Sequence, residues 1–198
     1  MKKIFILLLV FSTLFSQAQG VINNFIIKTS QVVVDALVNE GVSKAGLEDY
    51  YGAIDSFNKA IEIDRNNALA FANRSGAKAH IGDVEGALYD ANRAIDIDPN
   101  NALAYNNRGI VKNYLEDYYG AISDYDKSIA LDPKLAGAYN NRGKTKSNLG
   151  NFNDAIIDVN KAIEIDPNYA MAYSYRSFIR MHLNYLSNAL TDASKAIE

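Results

Sequence analysis

Cysteine and tryptophan are absent from this 198-residue chain, histidine occurs twice and proline three times. Without cysteine there is no disulfide framework, no thiolate zinc site, no cysteine nucleophile and no lipid-modified N-terminal cysteine. His80 and His182 alone fall short of most multi-histidine metal sites. No long basic run occurs and the formal charge is −3, which speaks against nucleic acid as a partner. What is present is ordinary globular material, 48% hydrophobic and 22% charged, so wholesale disorder is also excluded.

Only the first residues form a long apolar stretch. Lys2 and Lys3 give a positive start, Ile4 to Phe15 is apolar, and Ser16-Gln17-Ala18 offers the small residues that a signal peptidase inspects. Residues 1–18 therefore read as a signal peptide cleaved after Ala18, against the alternative of an uncleaved anchor. The expectation is an exported protein, periplasmic or secreted, with no stable membrane insertion after cleavage.

The three prolines carry the main message. Pro99, Pro133 and Pro167 are spaced 34 residues apart, a fixed period that signals a stacked repeat. At that period residues 19–33 form a lead segment, followed by units 34–67, 68–101, 102–135, 136–169 and an incomplete 170–198. Each unit holds two helical stretches. The first starts after an Asn-rich junction such as Asn100-Asn101, and the second after Asp49, Asp83, Asp117 or Asn151, all residues that cap orphan amides at a helix start. Ala53, Ala87, Ala121, Ala155 and Ala189 recur on the second helix, and proline stops it before the next unit begins. No period-2 strand pattern appears past residue 33. The fold is expected to be all-α.

These recurring positions resemble the tetratricopeptide repeat family over residues 34–198. Leu37, Phe71, Tyr105, Tyr139 and Tyr173 stand at its large position, and Gly41, Ser75, Gly109, Gly143 and Ser177 at the small one four residues on. The resemblance implies antiparallel helix pairs stacked into a right-handed superhelix, with a concave groove lined mainly by first helices. One departure is informative. Arg74, Arg108, Arg142 and Arg176 precede the small residue where an apolar one is usual, and Asp90, Asp124, Asp158 and Asp192 follow sixteen residues later. The first unit has Glu40 and Ser56 instead, lacking both partners together. A hairpin turning midway brings the two positions level, so a structural ion pair inside each unit is expected.

The groove-facing row is where function is expected. Asn39, Asn73, Asn107 and Asn141 recur there with Tyr175 in the fifth unit, flanked by Asn106, Asn140, Tyr114, Lys144 and Phe178. An amide offers a donor and an acceptor, so a ladder of them holds an extended backbone without reading its side chains. The other reading is that these asparagines pair with neighbouring backbone and fix the repeat spacing. Lys144 is the only fixed cation among these positions, which disfavours a multi-lysine carboxylate clamp. Residues 138–145 have the loose spacing of a phosphate loop, yet they lie inside an expected helix and the preceding unit lacks the Lys and Thr. No cofactor, metal or catalytic set is expected. The partner is another protein or peptide, and the chain reads as a non-enzymatic interaction scaffold. Assembly as a homo-oligomer through the array ends is the alternative, and an enzyme the remote third.

Overall fold

The computed structural model describes residues 2–197, with side chains from Phe15 onward; Met1, Glu198 and the side chains of 2–14 within the expected leader lie outside the described residues. Among the described residues there are ten helices and no strand. α1 (Lys2–Gly46) is followed by α2 (Tyr50–Ile63), α3 (Ala68–His80), α4 (Val84–Ile97) and α5 (Ala102–Tyr114). α6 (Tyr118–Leu131), α7 (Ala136–Asn148), α8 (Phe152–Ile165), α9 (Ala170–His182) and α10 (Leu186–Lys195) complete the chain.

The helix starts follow the expected caps in the first half of the array. Asp49, Asp83 and Asp117 each accept a hydrogen bond from the backbone N–H of the glycine three residues on, at 2.9–3.0 Å. Asn67 and Asn101 do the same for Ala70 and Ala104. From α7 onward no described helix has a side-chain cap: the starts are Leu135, Asn151, Tyr169 and Tyr185. Asn151 is thus a correction, since its sequence position predicts a cap and its side chain makes none.

The turn inside each hairpin has a common backbone. Glu48, Gly82, Glu116, Gly150 and Asn184, spaced at the repeat period, all adopt positive φ between 61° and 79°. That left-handed residue ends the first helix and sends the chain back alongside it. Close approach of the two helices needs the small residue: a Cβ on Gly109 would stand 2.6 Å from the Tyr125 ring, and one on Gly41 2.5 Å from Phe57. The five recurrent alanines of the second helices are all buried.

Curvature follows from which helices touch. Each helix packs on its sequence neighbours, and each first helix also meets the first helix of the next unit. Among the described residues no second helix reaches the following second helix. The stack therefore bends towards α1, α3, α5, α7 and α9, which line its inner face. It is a helical solenoid of repeats.

α1 departs from expectation. It runs unbroken through Ala18 and the lead segment into the first unit. Within the lead segment Val21, Phe25 and Ile27 are each more than three-fifths exposed. Ser30 lies within the helix and its hydroxyl donates to the Ile26 carbonyl at 2.7 Å. No proline interrupts this stretch, so nothing stops helix propagation through it. By length and composition, residues 15–46 suffice to cross a membrane.

Candidate functional site

Two polar systems run along the array. The first lies between the helices of each hairpin. The Nε and one terminal nitrogen of Arg74, Arg108, Arg142 and Arg176 donate to both oxygens of Asp90, Asp124, Asp158 and Asp192 at 2.6–2.9 Å. A second cation one turn on, Lys78, Lys112, Lys146 or Arg180, meets the same carboxylate at 2.6–2.8 Å. The remaining guanidinium nitrogen reaches back into the preceding unit, to Asn58, Asn92, Asp126 or Asn160. Each Arg also lies over the ring of Phe71, Tyr105, Tyr139 or Tyr173, 5.2–5.6 Å from its centre. The aspartates are nearly inaccessible, so two cations and a bidentate geometry offset their lost hydration. Burial alone would make Arg142 easier to deprotonate; Asp158 and Asp126 outweigh it and hold the proton more tightly. This system ties unit to unit and is structural. In the first unit Lys44 takes over, bonding the Ser56 hydroxyl at 3.0 Å and Glu40 at 2.7 Å.

The second system faces the groove. A cavity of about 380 Å³ opens on the inner face between α3 and α9. Of the residues expected at a peptide site, Asn106, Asn107, Tyr114, Asn141, Lys144 and Tyr175 line it. Asn39 is exposed on α1, outside the cavity. Asn73 spends an amide N–H on its own helix, donating to the Leu69 carbonyl at 2.9 Å. Phe178 packs edge-on against His182, ring centres 4.5 Å apart, and does not line the cavity. Asn140 lies beneath the surface, fully buried.

The asparagines in the groove are wired to one another. The Asn107 amide donates to the Ala72 carbonyl of the preceding unit at 2.8 Å, and Asn141 donates to Asn106 Oδ1 at 3.0 Å, the same step one unit later. Asn106 in turn donates to Asn107 Oδ1 at 3.2 Å. Thr145 extends the network, donating to Asn113 Oδ1 at 2.9 Å. Part of the amide capacity is thus committed to repeat spacing. Asn106, Asn107, Asn113 and Asn141 also line the cavity.

Tyr125, Tyr169 and Met171 are among the lining residues that lie outside the row that the sequence singles out. Tyr125 sits on α6, a second helix, and reaches through to the groove; burial pushes its hydroxyl pKa well up, with Thr145 acting against the rise. Tyr169 and Met171 come from the entry to α9. The Tyr169 hydroxyl is likewise shifted up, first by burial and then by Tyr175 beside it. The signal was present at Tyr169, which stands where earlier units carry Asn67, Asn101 or Leu135. Lys144 holds its ammonium 5.5 Å from the centre of the Tyr175 ring. Among the described residues no Asp or Glu lines the cavity, so Lys144 sets its charge. His80 and His182 each stack on an aromatic ring, Tyr50 and Phe152. Among the described residues no three His, Asp or Glu side chains are grouped to hold a metal ion.

Comparison with known proteins agrees with this architecture. Two family models, both of the tetratricopeptide repeat, match residues 136–169 and residues 34–67 and 102–135. The crystal structure of MamA is 25% identical at a TM-score of 0.60, covering 79% of this chain and 92% of MamA. A thermophilic tetratricopeptide protein of Thermus thermophilus, TTC0263, superposes at 0.76 with 18% identity, over 83% of this chain and 90% of its own. Pseudomonas aeruginosa PilF superposes at 0.71 with 18% identity, over 85% and 77%. No curated protein matches the chain. The repeats matched by the family models, together with the helix-pair solenoid built from them, place this chain in the tetratricopeptide repeat family.

Proposed function

We propose that the inner groove accepts an extended segment of another protein. Membership of the family makes the chain a protein–protein interaction scaffold; the groove reading goes a step further. The observation that carries it is the composition of the cavity wall: amides with spare donors and acceptors, four tyrosines and the Lys144 ammonium, on a pre-formed concave surface. Tyrosine supplies contact area at low entropic cost, and amides bond a backbone regardless of sequence. Amides, phenol rings and one ammonium on a concave wall are contacts suited to holding a segment, so the proposed role is binding.

Photo-crosslinking tests this directly. A benzophenone amino acid at Tyr114 or Met171, in the groove, is expected to trap a partner protein, while the same group at the exposed outer positions Tyr89 or Tyr119 is not. Equal trapping at inner and outer positions removes the reading.

The sequence of the N-terminal helix supports export. A positively charged start, a short apolar stretch and the Ser16-Gln17-Ala18 exit site have the order of a signal peptide, which puts the mature N-terminus at Gln19. N-terminal sequencing of the mature protein checks it. A second reading, self-association through the array ends, draws on α10, where Leu186 and Leu190 are about two-thirds exposed or more. Light scattering at rising concentration distinguishes a monomer from an assembly.

A further inference from the structure

The amide ladder has no rung onto Asn140, and that gap lies where the groove's charge sits. Residues 73, 107, 141 and 175 occupy one position of the repeat, and 72, 106 and 140 the position they reach back to. Asn107 bonds the backbone at Ala72, and Asn141 bonds the side chain of Asn106. The next rung would run from residue 175 to Asn140, but residue 175 is tyrosine. Among the described residues neither the amide oxygen nor the amide nitrogen of Asn140 has a hydrogen-bond partner, although the side chain is fully buried. The Tyr169 hydroxyl lies beside Asn140 without completing a bond of proper geometry. A buried amide with both ends unmet is costly, and a folded protein seldom carries one without a use for it.

Lys144 converges on the same place. Lys146, two residues on, rests on the Asp158 carboxylate at 2.8 Å. Lys144 instead holds the face of the Tyr175 ring, and no carboxylate among the described residues lines the cavity beside it. A ring face in a half-wet groove is a weaker partner for an ammonium than a carboxylate. Tyr175 thus carries the Lys144 ammonium on its ring face and stands at the position from which the rung onto Asn140 is missing.

We propose that the junction of the fourth and fifth units is the acidic-residue subsite of the groove. An Asp or Glu side chain of the bound segment takes the Lys144 ammonium from the Tyr175 ring. A peptide group of the same segment completes the bonding of the Asn140 amide, donor to carbonyl and acceptor to N–H. This inference rests on the groove reading and adds to it the chemistry of the segment. Selectivity comes from a single charge and not from a ring of cations, so it operates on one acidic side chain in the interior of a chain as well as at its end.

The test uses the mature protein and two short fluorescein-labelled peptides of alanine, leucine and serine, identical except for a central Glu in one and Gln in the other. Fluorescence anisotropy is expected to show the Glu peptide binding about tenfold more tightly at low salt, one charge-assisted bond's worth. Lys144→Gln, a change on a partly exposed side chain, is expected to erase the difference without altering the fold. Asn140→Leu is expected to weaken both peptides by a similar factor, roughly fivefold, and leave their ratio intact. Circular dichroism confirms that both variants fold. Equal affinity of the two peptides for the wild-type protein overturns the acidic subsite and leaves the groove reading standing. A ratio that survives Lys144→Gln overturns the assignment to Lys144, and unchanged binding by Asn140→Leu overturns the role of Asn140. Failure of both peptides to bind at any concentration removes the groove reading together with the subsite.

Discussion

The third and fourth units meet in the same way as the fourth and fifth, yet the two junctions are wired differently. At the first, Arg142 bridges two carboxylates, Asp158 in its own hairpin and Asp126 in the preceding one, and Asn141 closes the amide ladder onto Asn106. At the second, Arg176 bridges Asp192 and the neutral Asn160, and Tyr175 leaves Asn140 unbonded. The packing alanines are the same on both sides. The array thus has a tightly tied centre and a looser fifth unit, and the looser junction is the one that borders Lys144. Stability and binding are distributed unevenly along a repeat that looks uniform in outline.

The largest effect is expected from the ionic clips. Arg142→Ala leaves the buried Asp158 with Lys146 as its remaining cation and takes from Asp126 its guanidinium partner; the expected loss is about 3 kcal/mol in urea unfolding. Arg176→Ala strips a clip that ties down only the last hairpin, where Arg180 still holds Asp192. There the expected loss is about half as large. Equal losses would erase the contrast between the two junctions.

The amides give a sharper test, because the expected signs differ. Asn106→Leu removes the acceptor of Asn141 and the donor to Asn107, so a loss of about 2 kcal/mol is expected. Asn140→Leu replaces an amide that bonds nothing with an apolar group of similar size. Its melting temperature is expected to hold or rise. A clear fall would mean that Asn140 is bonded in the unbound protein.

The smallest expected effect separates the hairpin turns. Glu116 and Gly150 hold the same left-handed backbone in the third and fourth units. Glu116→Gly is expected to stabilise by about 0.5–1 kcal/mol, and Gly150→Ala to destabilise by a similar amount. Thermal melts of the two variants should move in opposite directions.

Much of this is legible in the sequence. The proline spacing and the recurring alanines give the period and the helix pairs, because a solenoid repeats the same packing constraint at the same step. The Arg–Asp coupling is readable for the same reason: both partners vanish together in the first unit, where Glu40 and Ser56 stand. What the pattern does not reveal lies across the repeat. The third contact of each arginine reaches into the preceding hairpin, and Asn107 and Asn141 bond one unit back; neither partner follows from spacing within a unit. Tyr125 escapes a row drawn on first helices only, because its long phenol crosses from the second helix through the space left by Gly109. The continuity of α1 is hidden too, since a processing site and a lead segment suggest boundaries while helix propagation responds only to breakers.

The central claim is that a bound segment lies along the inner groove and engages it at the looser junction. Mapping the amide chemical shifts of the ¹⁵N-labelled mature protein as the Glu-containing peptide is added tests this most directly. The account predicts shifts along α5, α7 and α9, largest at Asn140, Asn141, Lys144 and Tyr175. Shifts confined to the outer helices α4, α6 and α8, or centred on the exposed end at α10, would contradict it.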